Sequence, residues 1–260
     1  MILEGKAGRL LVKAYETRGE LGRAAAQEAA QALREVIAAK GGCNVIFAAA
    51  PSQNEFLDAL CREDVAWDKV SAFHMDEYIG LTEEAPQRFG NFLKKAVFER
   101  VPFRRVEYIR GNALDIEAEI ARYSALLSEN PPDLVFMGIG ENGHIAFNDP
   151  HAAHFDDEQT MRAVELDEVC RHQQVNDGCF RSLEQVPTHA LTLTIPALVS
   201  AARLFCMVPG ATKADAVGKT VLGEIREKLP ASVLRMHPCA ALYIDRDSGR
   251  DVLAAWGKIR

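Results

Sequence analysis

The chain has 260 residues, of which 48% are hydrophobic and 26% are charged, and its formal net charge is −7. This is the composition of a globular protein with a sizeable core, and the excess of acidic residues disfavours a protein that binds nucleic acid through charge. No apolar run approaches the ~20 residues of a membrane-spanning helix, so we expect no membrane association.

Helical and strand patterns alternate along the chain. An alanine-rich run over residues 17–42 ends in two glycines and predicts a long first helix. Further helices are predicted at 54–63, 87–101, 116–130, 212–222 and 248–256. Short apolar runs predict strands at 43–50, 69–75, 106–109, 133–139, 189–195, 203–209 and 240–245.

This alternation is typical of an α/β protein with a mostly parallel open sheet flanked by helices, in a Rossmann-like three-layer α/β/α arrangement. No low-complexity linker or internal repeat divides the sequence, so we predict a single domain over residues 1–260. Residues 148–187 have the least regular pattern, and we expect them to form a lid or wall over a site.

The first twenty residues and the cysteines favour a cytoplasmic protein. The first twenty residues carry charges throughout and lack the apolar core of a signal peptide. The cysteines are scattered without a C-x-x-C pair, so we expect free thiols rather than disulfides or a zinc site. They are Cys43, Cys61, Cys170, Cys179, Cys206 and Cys239.

Polar residues follow three of the predicted strands. The segments are AAAPSQNE after residue 47, HMDEYIGL after residue 73 and GIGENGHIAFNDP after residue 137. Ligands of open α/β sheets bind beyond the carboxyl ends of the strands, and a histidine beside carboxylates is suited to acid–base chemistry near neutral pH. We therefore place a candidate site at these strand ends.

Each candidate also has a purely structural interpretation. Asp76 and Glu77 are good caps for a following helix, and loop glycines serve tight turns. His151 and His154 have an H-x-x-H spacing, but without a helical pattern or a third ligand we predict no metal there. Lys213, at a predicted helix start, is either a surface lysine or an anion-binding group. The joint position of these residues at strand ends favours a function.

Several segments closely resemble the glucosamine-6-phosphate deaminase (isomerase) family. They are FHMDEYIGL, GIGENGHIAFNDP, QVPTHALTLTIPAL, VPGATKADAV and LRMHPCAALYID, and they cover nearly the whole chain in the family's order. The wider superfamily also contains 6-phosphogluconolactonases, whose loop usually carries Asp-Gly-His where this chain has Asn142, Gly143 and His144. The IAFNDP segment that follows is deaminase-like.

The resemblance implies an aldose–ketose isomerisation that releases ammonia and requires no metal or other cofactor. Asp76 matches the carboxylate that moves a proton between C2 and C1 of the open-chain sugar. His144 matches the histidine that assists ring opening, and Asn142 and Asp149 match the groups that orient it. Position 142 is often Asp in the family and position 149 commonly Glu, so Asp149 is one methylene shorter.

The substrate-binding part of the resemblance is less complete. Lys213 matches the family's phosphate-binding lysine, but residues 49–52 read Ala-Ala-Pro-Ser in place of the usual Thr-Gly-Ser/Gly-Thr loop, and the proline lacks an N–H. The family's arginine before the QVP segment has no clear match. We expect backbone N–H groups of the loop glycines to approach the substrate. The predicted substrate-binding residues are Ser52, Gln53, Gly140, Gly143 and Lys213, and alternative polar contacts are offered by Asn54, Arg171, Gln173 and Gln174.

Three hypotheses follow. The leading one is an amino-sugar phosphate deaminase/isomerase that converts glucosamine 6-phosphate, or a related amino sugar, to fructose 6-phosphate, or the matching ketose, and ammonia. The second is a 6-phosphogluconolactonase-like sugar lactone hydrolase in which His144 activates water. The third is a non-catalytic sugar-binding relative. The sequence leaves open the exact sugar and the choice between a monomer and a homo-oligomer.

Overall fold

The structure is a computed structural model that describes residues 1–257. The strands are β1 (Leu3–Ala7), β2 (Leu10–Tyr15), β3 (Cys43–Phe47), β4 (Val70–His74), β5 (Asp76–Tyr78), β6 (Arg105–Glu107), β7 (Leu134–Met137), β8 (Met161–Glu165), β9 (His189–Leu193), β10 (Arg203–Val208) and β11 (Ala240–Asp245). The α-helices are α1 (Arg18–Lys40), α2 (Asn54–Leu60), α3 (Phe89–Leu93), α4 (Ile116–Glu129), α5 (Glu168–Asn176), α6 (Ile195–Val199), α7 (Ala214–Leu222) and α8 (Arg250–Trp256).

Eight strands form one sheet in the order β1-β2-β11-β10-β7-β3-β4-β6. Neighbouring strands are parallel throughout, except that β1 and β2 form an antiparallel hairpin at one edge. The predicted mostly parallel α/β architecture is therefore confirmed. No helix within residues 1–257 combines the length and apolar character that a bilayer crossing requires.

A second, smaller sheet has the antiparallel order β5-β9-β8. The strand predicted at residues 189–195 is present as β9, but it does not belong to the parallel sheet. β9 instead pairs with β5, the three-residue strand that follows almost directly after β4, with Asp76 opposite Thr192. The small sheet thus lies next to the chain segment that leaves the main sheet.

The segment over residues 148–187 is more regular than its sequence indicates, because it contains β8 and α5. The helix predicted at 87–101 is shorter in its α-helical part. It begins at Phe89, and from Lys94 to Phe98 it continues as a wider π-helical turn in which the Glu99 N–H donates to the Lys94 carbonyl at 2.9 Å. The hairpin β1–β2 was not predicted.

Helix α1 follows from its sequence as expected. The Thr17 side chain accepts the Glu20 N–H at its start, and Gly41 ends it in the left-handed conformation with a φ of 78°. Its buried face is mostly alanine, which allows close packing. At Gly22 a Cβ would lie 2.8 Å from Glu55 of α2, so the glycine permits the close contact between the two helices.

The core anchors the central strands on which the site depends. Phe47 of β3 packs edge-to-face on Phe136 of β7, with ring centroids 5.2 Å apart, and Phe136 contacts Phe56 of α2 in the same way at 5.1 Å. All three rings are fully or almost fully buried. Burial of one such side chain contributes ~1.5–3 kcal/mol, so the ends of β3 and β7 are held by strong packing.

Candidate active site

A cavity opens where the carboxyl ends of four neighbouring strands, β4, β3, β7 and β10, meet at one edge of the sheet. Phe47 at the end of β3 pairs with His74 of β4, and Phe136 of β7 lies on its other side. Six of the nine predicted site residues line this cavity: Ser52, Gln53, Asp76, Gly140, His144 and Lys213. Asn142, Gly143 and Asp149 lie outside its lining.

Asp76 is the first residue of β5 and contributes a carboxylate to the cavity. It is 5% exposed, and no donor among residues 1–257 hydrogen-bonds to this carboxylate. Burial raises the pKa of Asp76 well above its ordinary value, and the neighbouring Glu77 carboxylate adds to this effect. Once ionised, a buried carboxylate without a hydrogen-bond donor is a strong proton acceptor.

The side chain of His74 holds the backbone of Asp76 in position. Its Nε2 accepts the Ile109 N–H at 2.9 Å, so the ring proton is on Nδ1, which donates to the Asp76 carbonyl at 3.0 Å. Burial lowers the pKa of His74 to about 4, and the ring is therefore neutral. The Tyr123 hydroxyl accepts the N–H of His74 and donates to its carbonyl, both at 2.9 Å.

Glu77 has a structural role despite being adjacent to Asp76. Its fully buried carboxylate accepts the backbone N–H groups of Tyr78, Phe89 and Gly90 at 2.9–3.0 Å, and two of these belong to the first turn of α3. Burial raises the pKa of Glu77, while these N–H groups and Arg88, whose Nε lies 3.5 Å away, act against the shift. The capping interpretation considered for both acids therefore describes Glu77.

His144 lies on the loop after β7, with Asp149 beside it. Nδ1 of His144 is 3.1 Å from Oδ1 of Asp149, although the alignment falls short of a directed hydrogen bond. Burial acts to raise the pKa of Asp149, but His144 and the N–H groups of Asn142 and Asp167 outweigh it and lower the pKa below its ordinary value. Asp149 is therefore an anion, and its oxygens can only accept hydrogen bonds. This assigns the proton of the His144 ring to Nδ1, and the unprotonated Nε2 is available to a ligand in the cavity.

Asn142 holds this pair in place through both ends of its amide. Its Oδ1 accepts the His144 N–H at 3.0 Å, and its Nδ2 donates to Asp149 at 2.9 Å and to Asp167 at 3.1 Å. A neutral amide suits this position, because an aspartate at 142 would place a third carboxylate against two others. Asp167 was not among the predicted site residues.

The two loop glycines provide space rather than hydrogen-bond donors, which corrects our expectation for their N–H groups. The Gly140 N–H donates to the His144 carbonyl at 2.9 Å, and the Gly143 N–H donates to the Gly140 carbonyl at 3.0 Å. A Cβ at Gly140 would lie 2.1 Å from the His144 ring, and one at Gly143 would lie 2.5 Å from the Leu229 side chain. Gly143 also has a φ of 88°, which favours glycine.

The far side of the cavity carries the predicted substrate-binding residues. The Gln53 amide nitrogen donates to the Met207 carbonyl at 3.0 Å and to the Ser52 hydroxyl at 3.2 Å, which fixes the orientation of Gln53. Lys213 is 4% exposed, and burial lowers its pKa, while the charges of Asp177 and Glu141 act in the opposite direction. Within the described part of the chain no carboxylate lies within ion-pair distance of Lys213, so its buried ammonium is suited to an anionic ligand.

Helix α5 forms a wall of the cavity with Gln173 and Gln174, in agreement with the expectation that residues 148–187 include a wall. Gln173 also accepts the Glu141 N–H at 2.9 Å. Of the other alternative contacts, Arg171 donates to the carbonyls of Leu183 and Val186. Asn54 is exposed and lies outside the lining.

Thr192 of β9 connects the two halves of the site. It pairs with Asp76 across β5 and β9, and its hydroxyl accepts the Phe147 N–H of the His144 loop at 3.1 Å. Asn148 adds a second link, because its amide donates to the Leu193 carbonyl at 2.8 Å. The relative placement of Asp76 and His144 therefore depends on β9.

Two groups of side chains bring possible metal-binding atoms within 4.8 Å of one another: His144, Asp149 and Cys170, and Asp149, His151 and Asp167. Both include Asp149, whose oxygens already accept hydrogen bonds from Asn142 and Asp167. His154, the second residue of the H-x-x-H spacing, belongs to neither group. The arrangement is that of a hydrogen-bond network around one carboxylate.

Comparison with known proteins identifies the family to which the chain belongs. A family model described as glucosamine-6-phosphate isomerases/6-phosphogluconolactonase matches residues 16–242. The chain belongs to this family. It is 35% identical to a glucosamine-6-phosphate deaminase of Streptococcus sanguinis over 220 residues, which cover 85% of this chain and 91% of the relative. A deaminase of Bacillus cereus is 33% identical over 239 residues, or 92% of this chain and 87% of the relative.

Solved structures of family members have the same fold. The chain matches a monomeric glucosamine-6-phosphate deaminase with a TM-score of 0.85 and 30% identity, over 92% of this chain and 99% of the other. A 6-phosphogluconolactonase of Shewanella baltica matches with a TM-score of 0.74 over 93% of this chain and 100% of the other, but with 16% identity. The second likeness concerns the fold alone.

Proposed function

We propose that this protein is a glucosamine-6-phosphate deaminase that isomerises its amino sugar substrate and releases ammonia, giving fructose 6-phosphate. The observation that carries the proposal is that two chemically different groups line one cavity. They are the buried carboxylate of Asp76, which accepts no hydrogen bond from residues 1–257, and the imidazole of His144, which lies against the anionic Asp149. The relatives named glucosamine-6-phosphate deaminase support the proposal.

His144 opens the pyranose ring in the proposed mechanism. With the proton on Nδ1, its Nε2 takes the proton of the C1 hydroxyl and returns a proton to the ring oxygen as the C1–O5 bond breaks. The ring becomes an imidazolium between these transfers. The Asp149 carboxylate beside Nδ1 stabilises that charge.

Asp76 then moves a proton between two carbons. It removes the proton from C2, the electron pair forms the C1–C2 double bond, and the C1 oxygen takes a proton from the ammonium group at C2. Return of the proton from Asp76 to C1 produces a protonated imine at C2. Water adds to this imine and ammonia leaves, so that each turnover consumes one water and yields a ketone and one ammonia.

Lys213, Ser52 and Gln53 form the proposed end of the site for the phosphate group. Lys213 supplies a buried positive charge, and Ser52 supplies a hydroxyl held by the Gln53 amide. Gln173 and Gln174 add amide groups from α5. A phosphate group bound by Lys213 would lie across the cavity from Asp76 at the start of β5.

Turnover in deuterated water tests this mechanism. Purified protein is given glucosamine 6-phosphate in D2O, with ammonia measured enzymatically and the ketose analysed by NMR. We expect ammonia release together with deuterium at C1 of the product and at C2 of recovered substrate. The Asp76→Asn variant is the matched control, and it should release no ammonia while remaining folded.

The two other hypotheses predict different results in the same assay. A lactone hydrolase would leave the amino sugar unchanged, would hydrolyse 6-phosphogluconolactone and would place no deuterium on carbon. A non-catalytic relative would show a ligand-induced rise in Tm with one of the sugars and no turnover. Either result would overturn the proposed function.

The role of His144 is tested separately by ring opening. His144→Gln should lose at least tenfold more turnover on the cyclic sugar than on an open-chain analogue, because the open chain no longer needs that step. Equal losses on both substrates would contradict a ring-opening role for His144.

Three wider expectations are also part of the proposal. Residues 1–260 act as one domain, since the eight-stranded sheet takes strands from both ends of the chain. We expect each chain to carry its own site, whether the protein is a monomer or a homo-oligomer. The protein works in the cytoplasm, where charged sugar phosphates are retained.

A further inference from the structure

The first turn of α5 lies directly against the His144–Asp149 pair. Asp167 is the N-cap of this helix, and its Oδ1 accepts the Cys170 N–H at 2.7 Å. The Asp167 N–H donates to Oδ2 of Asp149 at 3.2 Å. One residue therefore begins the helix and also binds the carboxylate beside His144.

The second carboxylate oxygen of Asp167 makes a contact with Asn142 that helix capping does not require. It accepts a hydrogen bond from the Asn142 amide, and the other N–H of that amide is directed at Asp149. The two N–H groups of Asn142 are thus shared between two carboxylates, and its oxygen is directed at the His144 N–H. A flipped Asn142 amide would place its oxygen against both carboxylates, so Asp167 and Asp149 together fix its orientation.

Other ionisable groups surround this cluster and enter any interpretation of its charge. Cys170 of α5 and His151 of the loop lie close to Asp149. Asp76 and Lys213 line the cavity, and the charge of Glu141 acts on Lys213. These groups are Asp76, Glu141, His151, Cys170 and Lys213.

We propose that Asp167 is a positioning residue for the His144–Asp149 pair, acting through the amide of Asn142. Only the kinetic test of this inference rests on the proposed deaminase function. Asp167 is not among the residues that line the cavity. Its effect is to keep Asn142 in the one orientation that supports the backbone of His144 and the carboxylate of Asp149 together.

Asp167→Ser separates this role from helix capping. Serine keeps an oxygen for the Cys170 N–H but is too short to reach Asn142 as well. We expect kcat for glucosamine 6-phosphate to fall at least tenfold with KM within twofold of the wild type. Asp115→Ser is the matched control, because Asp115 caps α4 in the same way, accepting the Ala118 N–H at 2.9 Å. It should keep wild-type kcat and KM.

Exchanging the two side chains provides a rescue. Asn142→Asp places a third carboxylate against Asp149 and Asp167, and we expect a loss of at least a hundredfold in kcat. In the double variant Asn142→Asp/Asp167→Asn the amide and the acid change places, so the contact between positions 142 and 167 is restored. The double variant should recover at least tenfold over Asn142→Asp. Two independent losses, with no recovery, would contradict the proposal.

A measurement without turnover keeps the inference independent of the enzyme assay. In ¹⁵N NMR spectra of the histidine rings, with His144→Gln used for assignment, the wild type should have His144 with its proton on Nδ1. Asp167→Ser should give a mixture of the two tautomers. Wild-type kcat and an unchanged His144 signal in Asp167→Ser would overturn the role of Asp167. A wild type that releases no ammonia would overturn the proposed function instead, and the NMR comparison would still decide the role of Asp167.

Discussion

The imidazole of His144 lies directly on Gly140, and a Cβ at position 140 would fall 2.1 Å from Cε1 of the ring and 2.2 Å from its Nε2. The same glycine donates its N–H to the His144 carbonyl at 2.9 Å. Gly140 therefore fixes the position of the His144 ring, both through this packing and through its hydrogen bond.

Gly140→Ala should consequently inactivate the protein without unfolding it. The new methyl group displaces the His144 ring from Asp149, and such overpacking costs ~1–3 kcal/mol of unfolding free energy. We expect kcat to fall at least a hundredfold, measured as ammonia release, with a decrease in Tm by thermal denaturation. Gly19→Ala is the control, since its Cβ would meet nothing nearer than the end of Arg23 at 3.5 Å. Equal activity in the two variants would contradict this account of Gly140.

Asp76→Asn should stabilise the protein while it removes activity. Burial raises the pKa of Asp76 well above its ordinary value of 3.8, so the folded protein retains this proton at pH values where the unfolded chain has released it. The free energy of unfolding therefore falls as the pH rises through this interval, and the loss is complete once the folded carboxyl is ionised. An asparagine has no proton to lose and avoids that loss.

The expected result is a Tm difference between Asp76→Asn and the wild type that grows from pH 4 to pH 8. Asp64→Asn, at an exposed position, should have a Tm close to that of the wild type throughout this range. A variant less stable than the wild type at pH 8 would mean that Asp76 is stabilised by interactions that the structure does not contain.

Glu77→Gln should have the opposite effect on stability, although the two acids are adjacent. Both carboxylate oxygens of Glu77 accept backbone N–H groups. In glutamine one of these oxygens is replaced by an NH2 group, which cannot accept the N–H that faces it. Leaving such a buried N–H unsatisfied costs ~1–3 kcal/mol. We expect a lower midpoint in urea denaturation, compared with the exposed Glu84→Gln. A midpoint equal to that of the control would rule out the capping role.

Lys213→Met should impair binding more than chemistry. Methionine fills a similar volume but removes the buried charge that faces the cavity. We expect KM for glucosamine 6-phosphate to rise at least tenfold with kcat within threefold, by steady-state kinetics. Lys219→Met, which removes an exposed lysine paired with Asp215 at 2.6 Å, should leave KM unchanged. An unchanged KM in Lys213→Met would indicate a substrate without a phosphate group at this end.

The sequence predicted the central strands well because their apolar runs are buried on both faces. Val45 and Phe47 of β3 and Val135 of β7 belong to such runs, and the loops that follow them carry the predicted polar residues. The hairpin β1–β2 was not predicted, because the exposed charges of Glu4 and Lys6 break its apolar pattern. Periodicity is informative where burial is strong and fails at half-exposed edges.

The supporting residues of the site were harder to predict for a related reason. α5 reads EVCRHQQVN and has no apolar stripe, so its helical character was missed, although its segment was expected to form a wall and Gln173 and Gln174 were named as polar contacts. Asp167 has one visible signal, since an aspartate three residues before Cys170 is a good N-cap. Its contacts with Asn142 and Asp149 join positions 18 to 25 residues apart, and no local pattern encodes them.

Because of the position of Thr192, a substitution there should affect activity and folding differently. It lies opposite Asp76 on one side and bonds the Phe147 N–H on the other, yet it does not line the cavity. Valine has the same shape and would be accepted by the core, but it could not accept that N–H. A saturation library selected for growth on the amino sugar should therefore reject valine at position 192 while a library screened for soluble expression retains it.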